Sequence, residues 1–463
     1  MDKITTSSTR EIIEDFAKEI NARKKRGPKP AKCVINFRRE RVDGKEREIY
    51  YVPLELLRYR KDNGRICSDV LNYEKSHGYL DEKSKSDQGI IEGFLKSKDV
   101  EKTRELYNII EHDGQLEPAI ITCDGFLING NRRKMVLESL CKVHRGDPKF
   151  TDMKVVILPG KDDEGGPPTL LEIEQIENRY QLQSEGKAEY YAFDRALSMR
   201  RKILFGMSLE EQLGDDPNYA GLKDRRFNEA VKKIEREYIK PLECIDRYLL
   251  LINRDGLYSS VSKGLGDPEG RWQAFRDYYN IVYQKLEDDK KRIKLGINEN
   301  EVGELEDAAF KIIRMRELGD LGKVHKIMRD MGKWLGNENA RRELIKLKKV
   351  EMSLPKSNIN INEDGDSGVS IDKVWTKYNA SEIIKQVKKA KNLYEFRKEK
   401  DTPMDLLEAA RNRLRSENMI LENMDTADYQ RAMQITREIQ KLASDIEGEL
   451  YELNKKLKRF VKH

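Results

Sequence analysis

Apolar and polar positions alternate differently in the two parts of this chain. Up to about residue 160, short β-rich runs are interspersed with helical segments, and two runs, at 118–122 and 126–128, predict a hairpin closed by Asp124-Gly125. A helix is predicted to begin at about Arg132. From Leu170 onward the apolar spacing is almost entirely helical. The pattern therefore predicts an α+β domain followed by a mainly α-helical region.

Breaks in these patterns divide the chain into six segments. Clusters of proline and glycine, and a polar stretch rich in Asn, Asp, Ser and Gly, mark the ends of the predicted elements. We expect an N-terminal helix with a basic arm, an α+β domain, two helical regions, a linker and a C-terminal helical oligomerisation region. The segments cover residues 1–32, 33–168, 169–260, 261–354, 355–372 and 373–463.

A basic segment follows the first predicted helix, which covers residues from about 9 to 22. It reads Arg23-Lys24-Lys25-Arg26-Gly27-Pro28-Lys29-Pro30, and its prolines exclude it from a helix interior. Two interpretations stay open for this segment. It is either a solvated linker, as most charge runs are, or an extended cationic arm that reaches into the minor groove of DNA.

The end of the chain carries a different apolar period. Apolar residues recur there at steps of three and four, with one slip of register between Ile446 and Leu450. This spacing predicts a coiled-coil-like helix, whose apolar face either joins two copies of the chain or packs on its own domain. The apolar positions are Ile435, Ile439, Leu442, Ile446, Leu450, Leu453, Leu457 and Phe460.

Composition narrows the function classes only slightly. Charged residues make up 37% of the 463 residues and hydrophobic residues 38%, a balance typical of long, solvent-exposed helices. The net charge of +6 is compatible with nucleic-acid binding but does not require it. Five scattered cysteines without a CxxC pair predict a reduced, cytoplasmic protein without a zinc site. No run is long and apolar enough to cross a membrane, so we expect no membrane partner.

The clearest candidate for chemistry is the GNRR turn, which comprises Gly130, Asn131, Arg132 and Arg133. It lies between the predicted hairpin and the predicted helix. Glycine lets the backbone approach a phosphate closely, and a helix N-terminus offers free N–H groups and the positive end of the helix dipole. Arginine side chains match phosphate oxygens with two donors each. The turn therefore favours phosphate binding, although paired arginines at a helix start are often ordinary surface residues.

A series of short boxes around this turn resembles the N-terminal domain of the ParB and sulfiredoxin superfamily. A strand with a "V-P-hydrophobic" start comes first, a "G, hydrophobic, x-P-hydrophobic" stretch and a hairpin with the turn follow, and a Glu-Asn pair comes last. The resemblance covers about residues 48–260 and implies that residues 33–168 form a ParB-like nucleotide-binding domain. The boxes are Tyr51–Leu57, Gly114–Ile121, Asp124–Arg133 and Ile176–Asn178.

The resemblance also implies roles for individual residues. A nucleoside triphosphate, CTP or ATP, would be held at the GNRR turn. Glu177 and Asn178 would take the catalytic role and coordinate Mg²⁺ or the phosphates, since hard oxygen ligands suit Mg²⁺. The residues implied to contact the nucleotide are Gln115, Pro118, Gly130, Asn131, Arg132 and Arg133.

Two positions depart from the family pattern. Asn131 stands where the family usually has a glutamate. In the family, the Glu-Asn pair is followed by a hydrophobic residue, a glutamine and an arginine, whereas Asn178 is followed by Arg179-Tyr180-Gln181, so the final arginine is out of register. Both departures leave open which nucleotide is bound and whether it is hydrolysed. Sulfiredoxin chemistry is not expected, because Asn131 occupies the position of the catalytic cysteine.

Residues 169–260 lie where ParB proteins carry a helix-turn-helix. Ser208 and Glu211 form a capping box that predicts the start of one helix, and a second helix is predicted from Leu222 to Tyr238. The break between them is longer than the usual turn, so a helical hairpin with solvated charges is an equal alternative. The residues expected to contact DNA are Lys223, Arg225, Arg226, Lys232 and Lys233.

Three functional hypotheses follow from these observations. The first is a nucleotide-dependent DNA-binding protein that forms a homodimer through its C-terminal helix and turns its nucleotide over slowly. The second is a nucleotide-dependent nuclease or kinase on the same fold, for which Asp62, Asp113 and Asp124 are candidate acidic residues. The third is a helical scaffold in a mobile-element or phage-defence system.

Overall fold

A computed structural model describes most of the chain. The described residues are 8–98 apart from 28, 30, 36 and 39–45, then 100–182, 192–262, 271–353, and 367–460 apart from 418. Most of the predicted linker at 355–372 lies outside them. The chain separates into two compact units, Met1–Leu393 and Tyr394–His463.

The described strands all lie in the first third of the chain, as the apolar alternation predicts. Four of them form one sheet in the order β1-β4-β6-β5, and β2 pairs antiparallel with β3 in a separate two-stranded sheet. Strand β6 runs antiparallel to β4 and parallel to β5, with Val52 opposite Met153 and Ile120 opposite Val156. The strands are β1 (Lys25–Arg26), β2 (Lys32–Val34), β3 (Glu46–Glu48), β4 (Tyr50–Pro53), β5 (Ala119–Ile121) and β6 (Asp152–Ile157).

The predicted hairpin is present, although its second arm is shorter than a regular strand. Thr122 and Phe126 pair through a backbone hydrogen bond of 2.9 Å, and Ile128 donates to Ile120 at 2.9 Å. Gly125 closes the turn with a φ of +86°, and a Cβ there would lie 2.5 Å from the carbonyl oxygen of Leu56. Only glycine fits this turn, because both the backbone conformation and the available space exclude a side chain.

The rest of the described fold is mainly helical. The helix predicted to begin at about Arg132 begins at Asn131, and the helix predicted from about residue 9 begins at Glu14. The helices up to residue 262 are α1 (Glu14–Arg23), α2 (Cys67–His77), α3 (Lys85–Lys96), α4 (Val100–Asp113), α5 (Asn131–Val143), α6 (Leu170–Leu182), α7 (Ala192–Leu204), α8 (Leu209–Gly214), α9 (Pro217–Ala220), α10 (Asp224–Ile234), α11 (Lys240–Leu251) and α12 (Ser259–Ser262). The later ones are α13 (Trp272–Asp277), α14 (Gln284–Glu287), α15 (Asp289–Leu295), α16 (Glu299–Met315), α17 (Val324–Trp334), α18 (Glu338–Ile345), α19 (Ser367–Leu414) and α20 (Tyr429–Phe460).

Both faces of the four-stranded sheet are covered, because successive residues of a strand point to opposite sides. Ala119 and Ile121 of β5 join a core that includes residues of α2, α3, α4 and α5. Ile120 faces the other way and packs in a second core with Ile173 and Ile176 of α6. The sheet therefore holds α5 and α6 on opposite faces, which fixes the place of the GNRR turn relative to Glu177 and Asn178.

The N-terminal segment is tied to this domain by specific contacts. Asp124 is fully buried, and its carboxylate accepts hydrogen bonds from the side chain of Arg10 at 2.8 Å, the backbone of Ile13 at 3.1 Å and the hydroxyl of Thr122 at 2.6 Å. Strand β1, which belongs to the predicted basic arm, pairs with β4. Part of the arm is therefore an edge strand of the sheet.

Past α6, unit 1 is helical, and the start of α19 closes it. Asp372 in the first turns of α19 is buried and pairs with three buried arginines, Arg254 at 3.0 Å, Arg271 at 2.8 Å and Arg314 at 2.9 Å. Trp375 is also fully buried. The helix begins at Ser367, within the predicted linker at 355–372.

Unit 2 contains the end of α19 and the whole of α20. None of its described residues is buried. The apolar positions of α20 from Ile435 to Leu453 are exposed, at 38% for Ile439 and Ile446 and 61% for Leu442. The residues with the coiled-coil spacing therefore lie on one helix. The side chains of Leu457 and Phe460 lie outside the described part. Among the described residues, none forms a helix that is both long enough and apolar enough to span a membrane.

Candidate functional site

The GNRR turn opens α5, as predicted, and Gly130 is the residue that makes the turn. Its φ is +87°, in the left-handed region, and its carbonyl accepts the first intrahelical hydrogen bond, from Lys134 at 3.0 Å. A Cβ at this position would lie 2.7 Å from the Cβ of Ala119 and 3.1 Å from the Cε of Met153. The glycine is therefore required twice, once by the backbone conformation and once by the closeness of β5.

The N-terminus of α5 is not capped by a side chain. The first N–H groups of an α-helix have no partner within the helix, so such an end commonly binds an anion. Asn131 stands in the first turn and is 9% exposed, and its Oδ1 is buried without a hydrogen-bond partner in the described structure. A buried polar atom without a partner in a native fold calls for an explanation, and a polar ligand is one.

The two arginines of the turn differ in their environment. Arg133 is largely buried and donates from Nη1 to the carbonyl oxygens of Glu117 and Pro118, the latter at 3.0 Å. Burial lowers the pKa of Arg133 from its ordinary value, although the nearby Glu117 opposes this change. Arg132 is partly buried in the same turn. Arg133 therefore joins α5 to the start of β5.

Gln115 and Pro118 hold the loop before β5 in place. The side chain of Gln115 is 6% exposed, and both atoms of its amide form hydrogen bonds. Nε2 donates to the carbonyl oxygens of Glu117 and Lys154 at 2.8 Å. Oε1 accepts from the backbone N–H of Lys154 at 2.7 Å. Pro118 offers its carbonyl to Arg133. A nucleotide contact by the Gln115 amide stays a prediction, and it would require one of these bonds to break.

Glu177 lies in a buried charged cluster on one side of α6. Its Oε1 accepts from the backbone N–H of Gly64 at 3.0 Å, and its Oε2 lies 3.6 Å from Arg60 and 3.8 Å from Arg201. Glu174, one turn earlier, pairs with the same two arginines at 3.2 Å and 3.0 Å. Two buried carboxylates thus share two arginines, the arrangement that buried charges need in order to be stable.

Asn178 points to a different neighbour. Its Nδ2 donates to the carbonyl oxygen of Gln212 in α8 at 3.1 Å, and its Oδ1 accepts from Nζ of Lys202 at 2.9 Å. Burial lowers the pKa of Lys202 from its ordinary value, and Glu177 and Glu174 oppose that change. The next residue, Arg179, pairs with Asp215 at 3.4 Å. Neighbouring residues of α6 therefore contact separate parts of the fold.

Helix α6 packs beside the hairpin that leads into the GNRR turn. Ile128, just before the turn, packs with Ile173 and Ile176 of α6. Tyr180 is close enough to Arg133 for each to influence the pKa of the other. The residues that sequence reasoning missed are Arg60, Arg201 and Lys202, which surround Glu177 and Asn178. No spacing rule links Arg201 or Lys202 to Glu177.

The residues implied to hold Mg²⁺ are engaged in other contacts. Arg60, Arg201 and the N–H of Gly64 surround the Glu177 carboxylate, and both ends of the Asn178 amide are used. These groups are cations and donors, which compete with a metal for the same oxygens. Metal binding at Glu177 and Asn178 does not fit this arrangement. It stays a prediction that would require these contacts to break. Among the described residues, no group of three or more His, Cys, Asp or Glu side chains is placed to hold a metal ion.

The candidate acids of the nuclease or kinase hypothesis are scattered. Asp124 holds Arg10 and Ile13, as described above, and Asp113 is half-exposed beside His112 at the end of α4. Asp62 is half-exposed and lies 3.7 Å from Arg201.

Burial raises the pKa of the Cys123 thiol to about 11, so this cysteine is protonated at neutral pH and is a poor nucleophile.

The predicted helix-turn-helix region forms a compact helical unit. The capping box of Ser208 and Glu211 is present at the start of α8. The break between the two predicted helices contains the short helix α9, and the second helix continues beyond α10 through a π-helical turn at Glu235–Ile239 into α11. One apolar cluster joins α7, α8 and α10 through Met199, Leu213 and Val231. We refer to α7–α10 as the helical unit.

The exposed face of α10 is basic. Val231 and Ile234 are buried against the cluster, so the opposite side of the helix faces solvent. Glu229 lies on that side and pairs with Arg225 at 3.2 Å, an exposed pair that adds little stability. The exposed cations include all five predicted DNA-contacting residues: Lys223, Arg225, Arg226, Lys232 and Lys233.

Comparisons with protein-family models, with curated proteins and with solved structures found no match to this chain. The mixed α+β domain followed by a helical region is observed directly. The relationship to ParB-like proteins stays a prediction that rests on the order of the short boxes.

Proposed function

We propose that this chain is a ParB-like protein that binds DNA in a nucleotide-dependent manner, with CTP or ATP at the GNRR turn. The observation that carries the proposal is the start of α5. There, an uncapped helix N-terminus follows a left-handed glycine, and the adjacent Asn131 has a buried oxygen without a partner. This combination favours a ligand that offers both an anion and hydrogen-bonding groups, as a nucleotide does.

Duplex DNA is the proposed second ligand. Four exposed cations, Arg225, Arg226, Lys232 and Lys233, lie on α10 away from its buried Val231 and Ile234, and Lys223 is exposed immediately before the helix. A rigid helix with a basic face is suited to phosphate contacts and to the major groove. The residues proposed to approach the bases are Lys223, immediately before α10, and Arg225 and Arg226 in its first turn.

A homodimer through α20 completes the proposal. Its exposed apolar stripe has Ile439 and Ile446 at one heptad position and Leu442 at the other, a choice that favours two-stranded coiled coils. None of the described residues of unit 2 covers this stripe. The slip of register between Ile446 and Leu450 divides the seam into two blocks.

Calorimetry with CTP, ATP and GTP, with Mg²⁺ and with EDTA, tests the nucleotide site. We expect the wild type to bind one of them and the Arg132→Ala variant to lose at least about tenfold in affinity, since an arginine–phosphate bond contributes about 1.5–3 kcal/mol. Lys142→Ala is the matched control, because Lys142 is exposed at the other end of α5. Absence of binding by the wild type to all three nucleotides contradicts the proposal. Equal affinity with EDTA argues against a metal at Glu177.

Titration of duplex DNA at several salt concentrations tests the basic face. Replacing Lys223, Arg225 and Arg226 together by alanine should weaken binding and lower the salt slope by up to about 3, one for each phosphate contact that is lost. The control is the triple replacement of Lys290, Lys291 and Lys294, three exposed lysines of α15. Equal losses in the two variants would mean that only net charge matters and would remove the assignment to α10.

A further inference from the structure

Helix α6 is enclosed on three sides, and each side faces a different part of unit 1. Ile173 and Ile176 pack against the sheet. Glu174 and Glu177 face residues 60–64 and the end of α7. Asn178 and Arg179 face α8. A helix packed on three sides in this way can transmit a displacement, because its buried sides are in close contact with other elements.

The side that faces α8 is polar, buried and specific. Asn178 donates to the carbonyl oxygen of Gln212 at 3.1 Å, and Arg179 pairs with Asp215 just past the end of α8 at 3.4 Å. All four residues are at most 8% exposed. Buried polar contacts of this kind are costly to leave unmade, so α8 is expected to follow any movement of α6.

A second connection runs through α7. Arg201 contacts Glu174 and Glu177, and the adjacent Lys202 donates to Asn178 at 2.9 Å. The backbone carbonyl of Lys202 also accepts from Met207, one residue before the capping box of α8. The charged cluster around Glu177 and the first helix of the predicted DNA-binding pair are thus joined by both α6 and α7.

The other end of this network reaches the GNRR turn. The backbone of Arg58 donates a hydrogen bond to Gly125 of the hairpin and accepts one from Leu127, both of 2.9 Å. Arg58 lies two residues before Arg60. Tyr59 bonds to Glu138 at 3.0 Å, and Glu138 pairs with Lys134 in the first turns of α5. The segment that carries Arg60 is therefore anchored to the same hairpin and helix that form the turn.

We propose that Asn178 and Arg179 are coupling residues, which link occupancy of the GNRR turn to the position of the helical unit. The inference rests on the proposed function. It assigns Asn178 a coupling role, rather than metal binding, in the structure described here. Residues 58–60 pass the state of the turn to the Glu174 and Glu177 cluster. The Asn178–Gln212 bond and the Arg179–Asp215 pair pass it on to α8, whose end leads to α10.

The test measures coupling separately from binding. DNA affinity is determined for a mixed-sequence duplex, without nucleotide and with a saturating amount of whichever of CTP, ATP or GTP binds the wild type most tightly. We expect the wild-type ratio of the two dissociation constants to differ from one by at least about fivefold, and nucleotide affinity to change by the same factor when DNA is added. In Asp215→Asn and in Arg179→Lys the ratio should approach one, while each separate affinity stays near that of the wild type.

Asp277→Asn is the matched control. Asp277 is 6% exposed and accepts from Nε of the half-exposed Arg329 at 2.8 Å, so the substitution removes a buried carboxylate charge away from α6. Circular dichroism and thermal melting verify that each variant folds, and two different variants guard against failure of one. If the wild-type ratio differs from one and both variants keep it, the coupling residues are wrong and the proposed function stands. If the wild type binds nucleotide and DNA with a ratio of one, both the dependence on nucleotide and its route are wrong.

Discussion

Helices α6 and α20 differ in how their side chains are surrounded. In α6 the charged residues Glu174, Glu177 and Arg179 are buried and paired, and each contact leads to another element. In α20 the apolar residues from Ile435 to Leu453 are exposed. Charged residues are usually exposed and apolar residues buried; the buried charges of α6 and the exposed apolar residues of α20 both depart from this rule.

The two reversals have different physical reasons. A buried charge is tolerated only when it is paired, so α6 depends on arginines from residues 58–65 and from α7. An exposed apolar stripe of regular spacing indicates a surface that another helix covers. The first helix belongs to a completed interior, and the second has an apolar face that the described residues of unit 2 leave exposed.

The largest effect is expected from Glu174→Ala. This substitution leaves Arg60 and Arg201 with one fewer buried carboxylate, and breaking such a pair costs about 3–5 kcal/mol. The urea midpoint and the melting temperature measure the loss. Glu447→Ala on α20 is the control, since this residue is exposed and should change the unfolding free energy by less than about 0.5 kcal/mol. Similar changes in the two variants would contradict the contrast between the helices.

A somewhat smaller effect is expected from Gly130→Ala at the GNRR turn. Gly130 and Gly146 both have a φ near +86°, but a Cβ at Gly146 would meet nothing within 4 Å. Gly146→Ala should cost only the strain of the left-handed backbone, about 1–2 kcal/mol. Gly130→Ala adds overpacking against Ala119 and should cost about 2–4 kcal/mol in total. Equal costs would show that β5 moves away without penalty.

Acid titration extends the comparison to α19. Burial acts to raise the pKa of Asp372, but Arg271, Arg254 and Arg314 outweigh it and hold the pKa below its ordinary value. A carboxyl whose pKa is lowered in the folded state contributes stability above its unfolded pKa of about 3.9 and loses it as the pH falls through the folded value. The stability difference between wild type and Asp372→Asn should therefore shrink as the pH falls from 7 into the acid range, a change that urea titrations at several pH values measure. A constant difference would indicate that the charge of Asp372 is unimportant.

The smallest effect on the stability of unit 1 is expected from Leu442→Asp in α20. Light scattering should show that the wild type is a dimer and that the variant is a monomer, because a buried aspartate in the seam would be unpaired. Thermal melting of unit 1 should be nearly unchanged. Glu438→Asp, a charge-conserving change in the same helix, serves as the control. A monomeric wild type would remove the homodimer from the proposal.

Local features of the site could be predicted well because they depend on neighbouring residues. The hairpin at Asp124-Gly125, the helix start after Gly130 and the capping box of Ser208 all follow from short-range rules for turns and helix ends. The break before α10 was predicted, but the helix α9 inside it was not. The first helix was expected from about residue 9 and begins at Glu14.

Contacts between distant residues could not be predicted. Arg133 was expected to face a phosphate, whereas the structure places its Nη1 on the carbonyl oxygens of Glu117 and Pro118. The pairing of Glu177 with Arg60 joins residues more than a hundred positions apart. No periodicity or motif encodes such a pair, because it depends on how the sheet brings α6 and residues 58–65 together.

Local sequence patterns were sufficient to predict the kinds of element, the α+β order of the N-terminal domain, the glycine that opens α5 and the heptad spacing of α20. These features depend on backbone preferences and side-chain periods that act over a few residues. Tertiary structure alone decided that Asn178 contacts α8 rather than lying beside Glu177 in a common pocket, and that Asp372 meets three arginines. The physical reason is that burial and charge pairing are properties of the packed fold, in which residues far apart in sequence exclude water together.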